Sequence, residues 1–236
     1  KTLFSQKKYE EVIVISEKHI PPEDRPAGLI NMIGISYFLK KNRSENDIKN
    51  ALLLFELTYL KDKNTIHALN GLKNLILMGI KASIEYKNLS SFLIKAKDHF
   101  IDAERYFENN EEFLNVGLEL FLHLLDTIKQ KELILKILKG KTKSKTLRGQ
   151  SLFMSNYYYG WSQQDYLDNA KKNSEYYSTL NVKKINEIEY SSNDKINLGF
   201  VSCDILKNHS ITFFLKDTIK YLDKKRFKIN IFSIAK

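Results

Sequence analysis

Two side-chain patterns alternate along the first 125 residues, and the distance between them constrains the fold more than any other feature. One pattern reads Val12-Ser16-His19, Ala51-Phe55-Thr58 and Ala96-Phe100-Ala103. The other reads Ile30-Ile33-Gly34-Tyr37, Leu69-Leu72-Ile76 and Leu114-Gly117-Leu118-Phe121. Spacings of three and four place each set on one face of an α-helix. From Val12 to Gly34, from Ala51 to Lys73 and from Ala96 to Leu118 the gap is 22 residues each time. The reverse gap varies, being 17 from Gly34 to Ala51 and 23 from Lys73 to Ala96. A fixed connection alternating with a variable one predicts stacked helix pairs, with insertions confined to the loop inside each pair. Helices broken near residues 40–47 and 80–90 follow from this register.

Nothing later in the chain interrupts helix by ring closure, because all three prolines lie within the first 26 residues. The net charge of +10 is concentrated in residues 131–148, where seven Lys/Arg stand against one Glu and supply +6. Lysine dominates and arginine is scarce, so a solvated basic linker over residues 140–150 is expected, with no specific nucleic-acid partner. The lone Cys203 excludes an intrachain disulfide, and the histidines lack metal-ligand spacing, so no metal is expected. No apolar run is long enough to cross a bilayer. A reducing, cytoplasmic location without membrane association is the expectation.

Beyond the linker, residues 151–194 read as a helical lead-in. Ser162 followed by Asp165 resembles a capping box, and Tyr166, Leu167, Ala170 and Tyr177 form its apolar face. The pattern then changes. "INLGFVS" at residues 196–202 reads as a strand buried on both faces. "ITFFLKDTIKYL" follows as an amphipathic helix with Phe214, Ile219 and Leu222 buried, and "FKINIFSI" as a second strand. Strand, helix and strand with short connections open a parallel α/β sheet, whose ligands bind beyond the carboxyl ends of the strands. Asp204 and His209 occupy that position. One such unit cannot bury its own faces, so the α/β domain is expected to be incomplete.

The helical patterns "KKYEEVIVISEKHI", "LINMIGISYFLKK" and "FLIKAKDHFIDAERYF" resemble the tetratricopeptide repeat, with Lys73 and Leu118 where that repeat prefers glycine. "NLGFVSCDILKNHSITFFLKDTIKYLDKKRFKINIFS" is similar to the start of the catalytic region of the protein O-linked N-acetylglucosamine transferases, glycosyltransferase family 41. Val201, Ser202, Asp204, Asn208, His209, Phe214, Leu215, Arg226 and Phe227 carry that resemblance. The family places repeats, lead-in and catalytic region in this order. The sequence departs from it in three ways: four residues separate Asp204 from His209, Ser210 follows the histidine, and Ala170 stands in the lead-in where a histidine is common.

The resemblance implies transfer of N-acetylglucosamine or a hexose from a UDP-sugar to Ser/Thr of proteins. His209 and Asp204 would be active-site residues and Asn208 a substrate contact, the identity of the base being left open. The donor-binding half would lie beyond the stretch available, so this fragment would be inactive alone and needs no cofactor. Tyr37, Asn70 and Asn74 are the candidate groove residues for the protein or peptide acceptor. The overall expectation is a mostly α protein: a solenoid of tetratricopeptide-like pairs over 1–139, the linker and lead-in, then the opening β-α-β unit of a GT-B-type domain over 195–236. A tetratricopeptide-type interaction scaffold without catalytic activity is the alternative.

Overall fold

The computed structural model describes residues 2–140, 142, 144–157, 162–178, 195–202 and 209–233. The chain divides into two units, 1–181 and 182–236. The first is helical: α1 Thr2–Ser5, α2 Tyr9–His19, α3 Ala27–Leu39, α4 Glu45–Lys61, α5 Ile66–Glu85, α6 Ser91–Phe107, α7 Glu111–His123, α8 Thr127–Lys139, α9 Lys145–Met154 and α10 Gln163–Ser178. The second contains β1 Ile196–Ser202, α11 Ser210–Tyr221 and β2 Phe227–Ser233.

Local chemistry sets the helix starts. The side chains of Ser44, Thr65, Asn110, Asp126 and Ser144 each accept a hydrogen bond from the backbone N–H three residues on. Each bond satisfies one of the orphan donors of a first turn. At Ser44 the Asp47 carboxylate bonds back to the Ser44 N–H, completing a capping box. Ser162 and Asp165 make the same reciprocal pair at the start of α10, as their spacing predicted.

Neighbouring helices run antiparallel. Gly71 meets Thr58 while Gly79 meets Leu52, so α4 and α5 ascend in opposite senses. Phe107 lies by Phe113 and Phe100 by Phe121, which sets α6 against α7 in the same way. Alternate helices run parallel. Gly28 faces His67 and Asn31 faces Asn74 across α3 and α5. Glu56 pairs with His99 and Tyr59 with Asp102 across α4 and α6. The result is two rows of helices, α3-α5-α7 and α4-α6-α8, around a core of fully buried Phe55, Tyr59, Phe100, Phe113 and Phe121.

The helix pairing matches the sequence expectation, but the register does not. An added Cβ at Gly34 would lie 2.7 Å from Phe55, so the first close approach falls where the pattern put it. The next two fall at Gly71 and Gly117, which abut Thr58 and Phe100, and not at Lys73 and Leu118. The gaps from Ala51 and Ala96 to these glycines are 20 and 21 residues, not 22. Lys73 instead sits on the rim and pairs with Glu112 at 3.1 Å.

The expected basic linker is corrected as well. Residues 145–154 form α9, and Leu147 and Arg148 are buried. Ser144 nucleates the helix, and Leu147, Ser151 and Met154 supply a buried stripe that the lysines mask in the sequence. Arg148 is only 5% exposed and donates to the carbonyls of Ile137, Leu138 and Gly140 and to Asn173 Oδ1. The buried face of α10 is accordingly Asn169 and Asn173, while Leu167 of the expected apolar face is exposed.

In the second unit β1 and β2 pair in parallel, Ile196 against Phe227 through Ser202 against Ser233. The β-α-β reading therefore holds. Burial of β1 on both faces does not, since none of its residues is buried and Val201 is 61% exposed; Phe214, expected on the buried face of α11, is 77% exposed. Two strands and one helix bring too little surface to cover both faces of the sheet and the far side of α11.

Candidate functional site

Three places bear on function: the carboxyl end of β1, the row of first helices, and the space between α2 and α4. At the first, His209 is the N-cap of α11. Its Nδ1 accepts the Ile211 N–H at 3.3 Å, and the ring is exposed. With Nδ1 accepting, the neutral ring carries its proton on Nε2. A histidine at a helix start beyond a parallel strand stands where such sheets bind ligands. Asp204 and Asn208 lie outside the described residues.

Along α3, α5, α7 and α9 the amides Asn31, Asn70, Asn74, Asn115 and Gln150 stand among charged and hydroxyl side chains. Asn74 Nδ2 donates to Asn31 Oδ1 at 2.9 Å, which bridges α3 to α5. Asn70 lies one turn before Asn74 on the same helix face, half-buried. Further along, Asn115 and Gln150 line a cleft of about 260 Å³ with Glu112 and Thr146. An adjoining cleft of about 410 Å³ is lined by Asn109, Glu111, Lys136 and Thr142. Glu111 belongs to both, and its carboxylate accepts the Ser144 N–H at 3.1 Å, closing the α8–α9 turn onto α7. Amides that both donate and accept can follow the backbone of an extended chain without demanding its sequence.

Tyr37, although also on α3, lines a different cleft from these amides. Its hydroxyl donates to Glu17 of α2, and its ring lines the cleft between α2 and α4. Burial, with Glu17 beside it, pushes the Tyr37 hydroxyl up to about 12. Of the three expected groove residues, then, Asn70 and Asn74 share a face and Tyr37 is elsewhere. Sequence reasoning missed Asn31, Asn115 and Gln150. The signal for Asn31 was its 43-residue separation from Asn74.

Among the described residues no cluster of His, Cys, Asp and Glu could hold a metal ion. Nor is any helix among them long and apolar enough to cross a membrane. No protein-family model matches the chain, and no curated protein matches it either. The class the fold defines is a mostly helical protein of stacked pairs with a small parallel β-α-β unit.

Proposed function

We propose that the chain is part of a glycosyltransferase that moves N-acetylglucosamine, or a hexose, from a UDP-sugar to Ser or Thr of proteins. In this reading the first unit is a tetratricopeptide-type solenoid and binds the acceptor. The observation that carries the reading is His209 capping α11, the helix that follows a parallel strand in sequence, in a chain whose preceding helices stack as pairs. In the reaction the acceptor hydroxyl oxygen bonds to the anomeric carbon. The bond from that carbon to the diphosphate breaks, and the hydroxyl proton leaves. An imidazole at the sheet mouth can take or relay that proton, or orient the hydroxyl. Asp204, close in sequence, would fix the ring, and Asn208 would contact substrate. The amides Asn31, Asn70, Asn74 and Asn115 would hold the acceptor backbone.

The test is sugar transfer to a Ser/Thr peptide by the protein as encoded in its full reading frame, with radiolabelled UDP-N-acetylglucosamine and UDP-glucose. Transfer that falls about a hundredfold or more in His209→Ala supports the reading. Absence of transfer from either donor, with the peptide still bound, supports an interaction scaffold instead.

A further inference from the structure

An imidazole at the mouth of the sheet can take a proton, relay one or orient a substrate group. The local geometry of His209 narrows that choice. His209 is the N-cap residue of α11, and its Nδ1 accepts the Ile211 N–H at 3.3 Å. Its carbonyl accepts the Thr212 N–H at 3.0 Å. The first N–H groups of a helix lack partners within it, so the ring satisfies one of them. The residue is exposed, which leaves the Nε2 edge open to a ligand.

Such a cap sets the tautomer. An accepting Nδ1 uses its lone pair, so in the neutral ring the proton sits on Nε2. A base working through Nε2 needs the reverse, a lone pair on Nε2 and a proton on Nδ1. That proton would meet the Ile211 N–H donor against donor, and the cap would be lost. A base working through Nδ1 needs the lone pair that the Ile211 N–H already occupies. While α11 is capped, then, the ring presents a hydrogen-bond donor to the site. The surroundings on α11 suit an anionic oxygen there. Its first turn carries no acidic residue, and its nearest carboxylate, Asp217, stands two turns on.

We propose that His209 acts in sugar transfer as an uncharged donor and not as the base. Its Nε2–H donates to the diphosphate oxygen that takes the electron pair when the bond to the anomeric carbon breaks. The acceptor oxygen bonds to that carbon in the same step. The acceptor's proton is not taken by the ring and passes to water. A donor aimed at an oxygen that gains negative charge acts more strongly in the transition state than in the ground state. The proposal rests on the glycosyltransferase reading and narrows it.

Two substitutions separate the two ring nitrogens. In His209→Gln the amide nitrogen stands near the place of Nε2, so outward donation survives and the cap is lost. In His209→Asn the amide oxygen stands near the place of Nδ1, so the cap survives and the outward donor is lost. The assay is transfer to a Ser/Thr peptide by the protein as encoded in its full reading frame, with the UDP-sugar that wild type uses. His209→Gln should keep kcat within about tenfold of wild type, the scale of one imperfect hydrogen bond. His209→Asn should lower kcat about a hundredfold with little change in KM, the scale of one lost donor at developing charge. Circular dichroism melts check that both variants are folded.

An Asn variant as fast as wild type reduces the ring to a helix cap and overturns the proposal. A Gln variant as slow as the Asn variant restores the base and overturns it too. In either case the glycosyltransferase reading stands. Wild type that transfers no sugar overturns that reading, and the proposal with it. The tautomer is read without any activity by long-range proton–nitrogen NMR correlation of the 236-residue chain, the His209 signal being the one lost in His209→Gln. The proton is expected on Nε2, and a proton on Nδ1 overturns the proposal whatever the transfer assay gives.

Discussion

Gly117→Ala is the sharpest test of how the helical rows are built. A Cβ at position 117 would lie 2.3 Å from Phe100 Cζ, 2.6 Å from Phe100 Cε2 and 2.9 Å from Leu133 Cδ1. Phe100 cannot step aside. Its ring stacks on Phe113 at 4.1 Å and meets Phe121 edge-on at 5.3 Å, and it is fully buried. In an open helix the change would stabilise by about 1 kcal/mol, since alanine loses less backbone freedom than glycine. Forcing a methyl into a closed core costs about 1–3 kcal/mol, and a contact this short belongs at the upper end. The difference is a net loss of about 2 kcal/mol, or a fall in Tm of about 4–8 °C for a chain of this size. Gly79→Ala is the internal control. Its Cβ would come tightly against Leu93 Cδ2 at 3.2 Å, the end of a flexible side chain, and touch Leu52 Cδ2 only at 4.0 Å, so that variant should be neutral or slightly stabilising. Urea melts followed at 222 nm compare the two. A Gly117→Ala midpoint at or above wild type would refute the close approach of α6, α7 and α8 at this point.

Other outcomes follow from the same packing. Asp126 is held below the usual carboxylate range by the Lys97 ammonium and then by the Lys129 N–H. Its stabilisation is therefore present above the ordinary carboxylate value and is lost as pH falls below it; Asp126→Asn should flatten acid unfolding in that window. Arg148→Met leaves three carbonyls and Asn173 without their donor and should destabilise by about 3 kcal/mol, with faster hydrogen exchange across α9 and α10. Ser44→Ala removes the cap of α4 and should lower stability by about 1 kcal/mol in a urea melt.

Helix pairing was legible because close approach demands small residues, and those mark the sequence. Its register was not, because a helical stripe of apolar residues tolerates a shift of one or two positions before its face turns away from the core. Only contact decides that Gly71 meets Thr58 while Lys73 reaches Glu112. The segment read as a linker shows the opposite failure. Leu147, Ser151 and Met154 stand at helical spacing, yet a charge-based reading hides three residues among lysines. Parallel pairing of β1 with β2 followed from pattern alone, since the strand–helix–strand order leaves few other solutions. The extent of burial did not follow, because it depends on what lies against the sheet. At the candidate site Asn70 and Asn74 came from helical position, whereas the Asn31 partner needed the third dimension.

The variable gap has a physical explanation that the sequence did not suggest. The loops inside the first two pairs, residues 40–44 and 86–90, are each five residues long. The extra length resides in α5, which has 20 residues against 13 in α3. Contacts between successive pairs nevertheless keep a constant offset: Asn31–Asn74, Glu56–His99 and Tyr59–Asp102 are each separated by 43 residues. Lys63–Asp102, Lys95–Glu56 and Lys73–Glu112 are separated by 39, about one turn less. An insertion within the contacting stretch of any helix would break this constancy. The added turns of α5 therefore had to fall past its contacts with α3, at its carboxyl end. They are not idle there. Glu85, the last residue of α5, pairs with Arg43 at 3.1 Å, and Arg43 also donates to the Phe38 carbonyl at the end of α3. The longer helix reaches back over the preceding loop and ties it down. Lengthening the chain by helix keeps its new backbone groups hydrogen-bonded and adds an anchor, where a longer loop would have added only closure entropy.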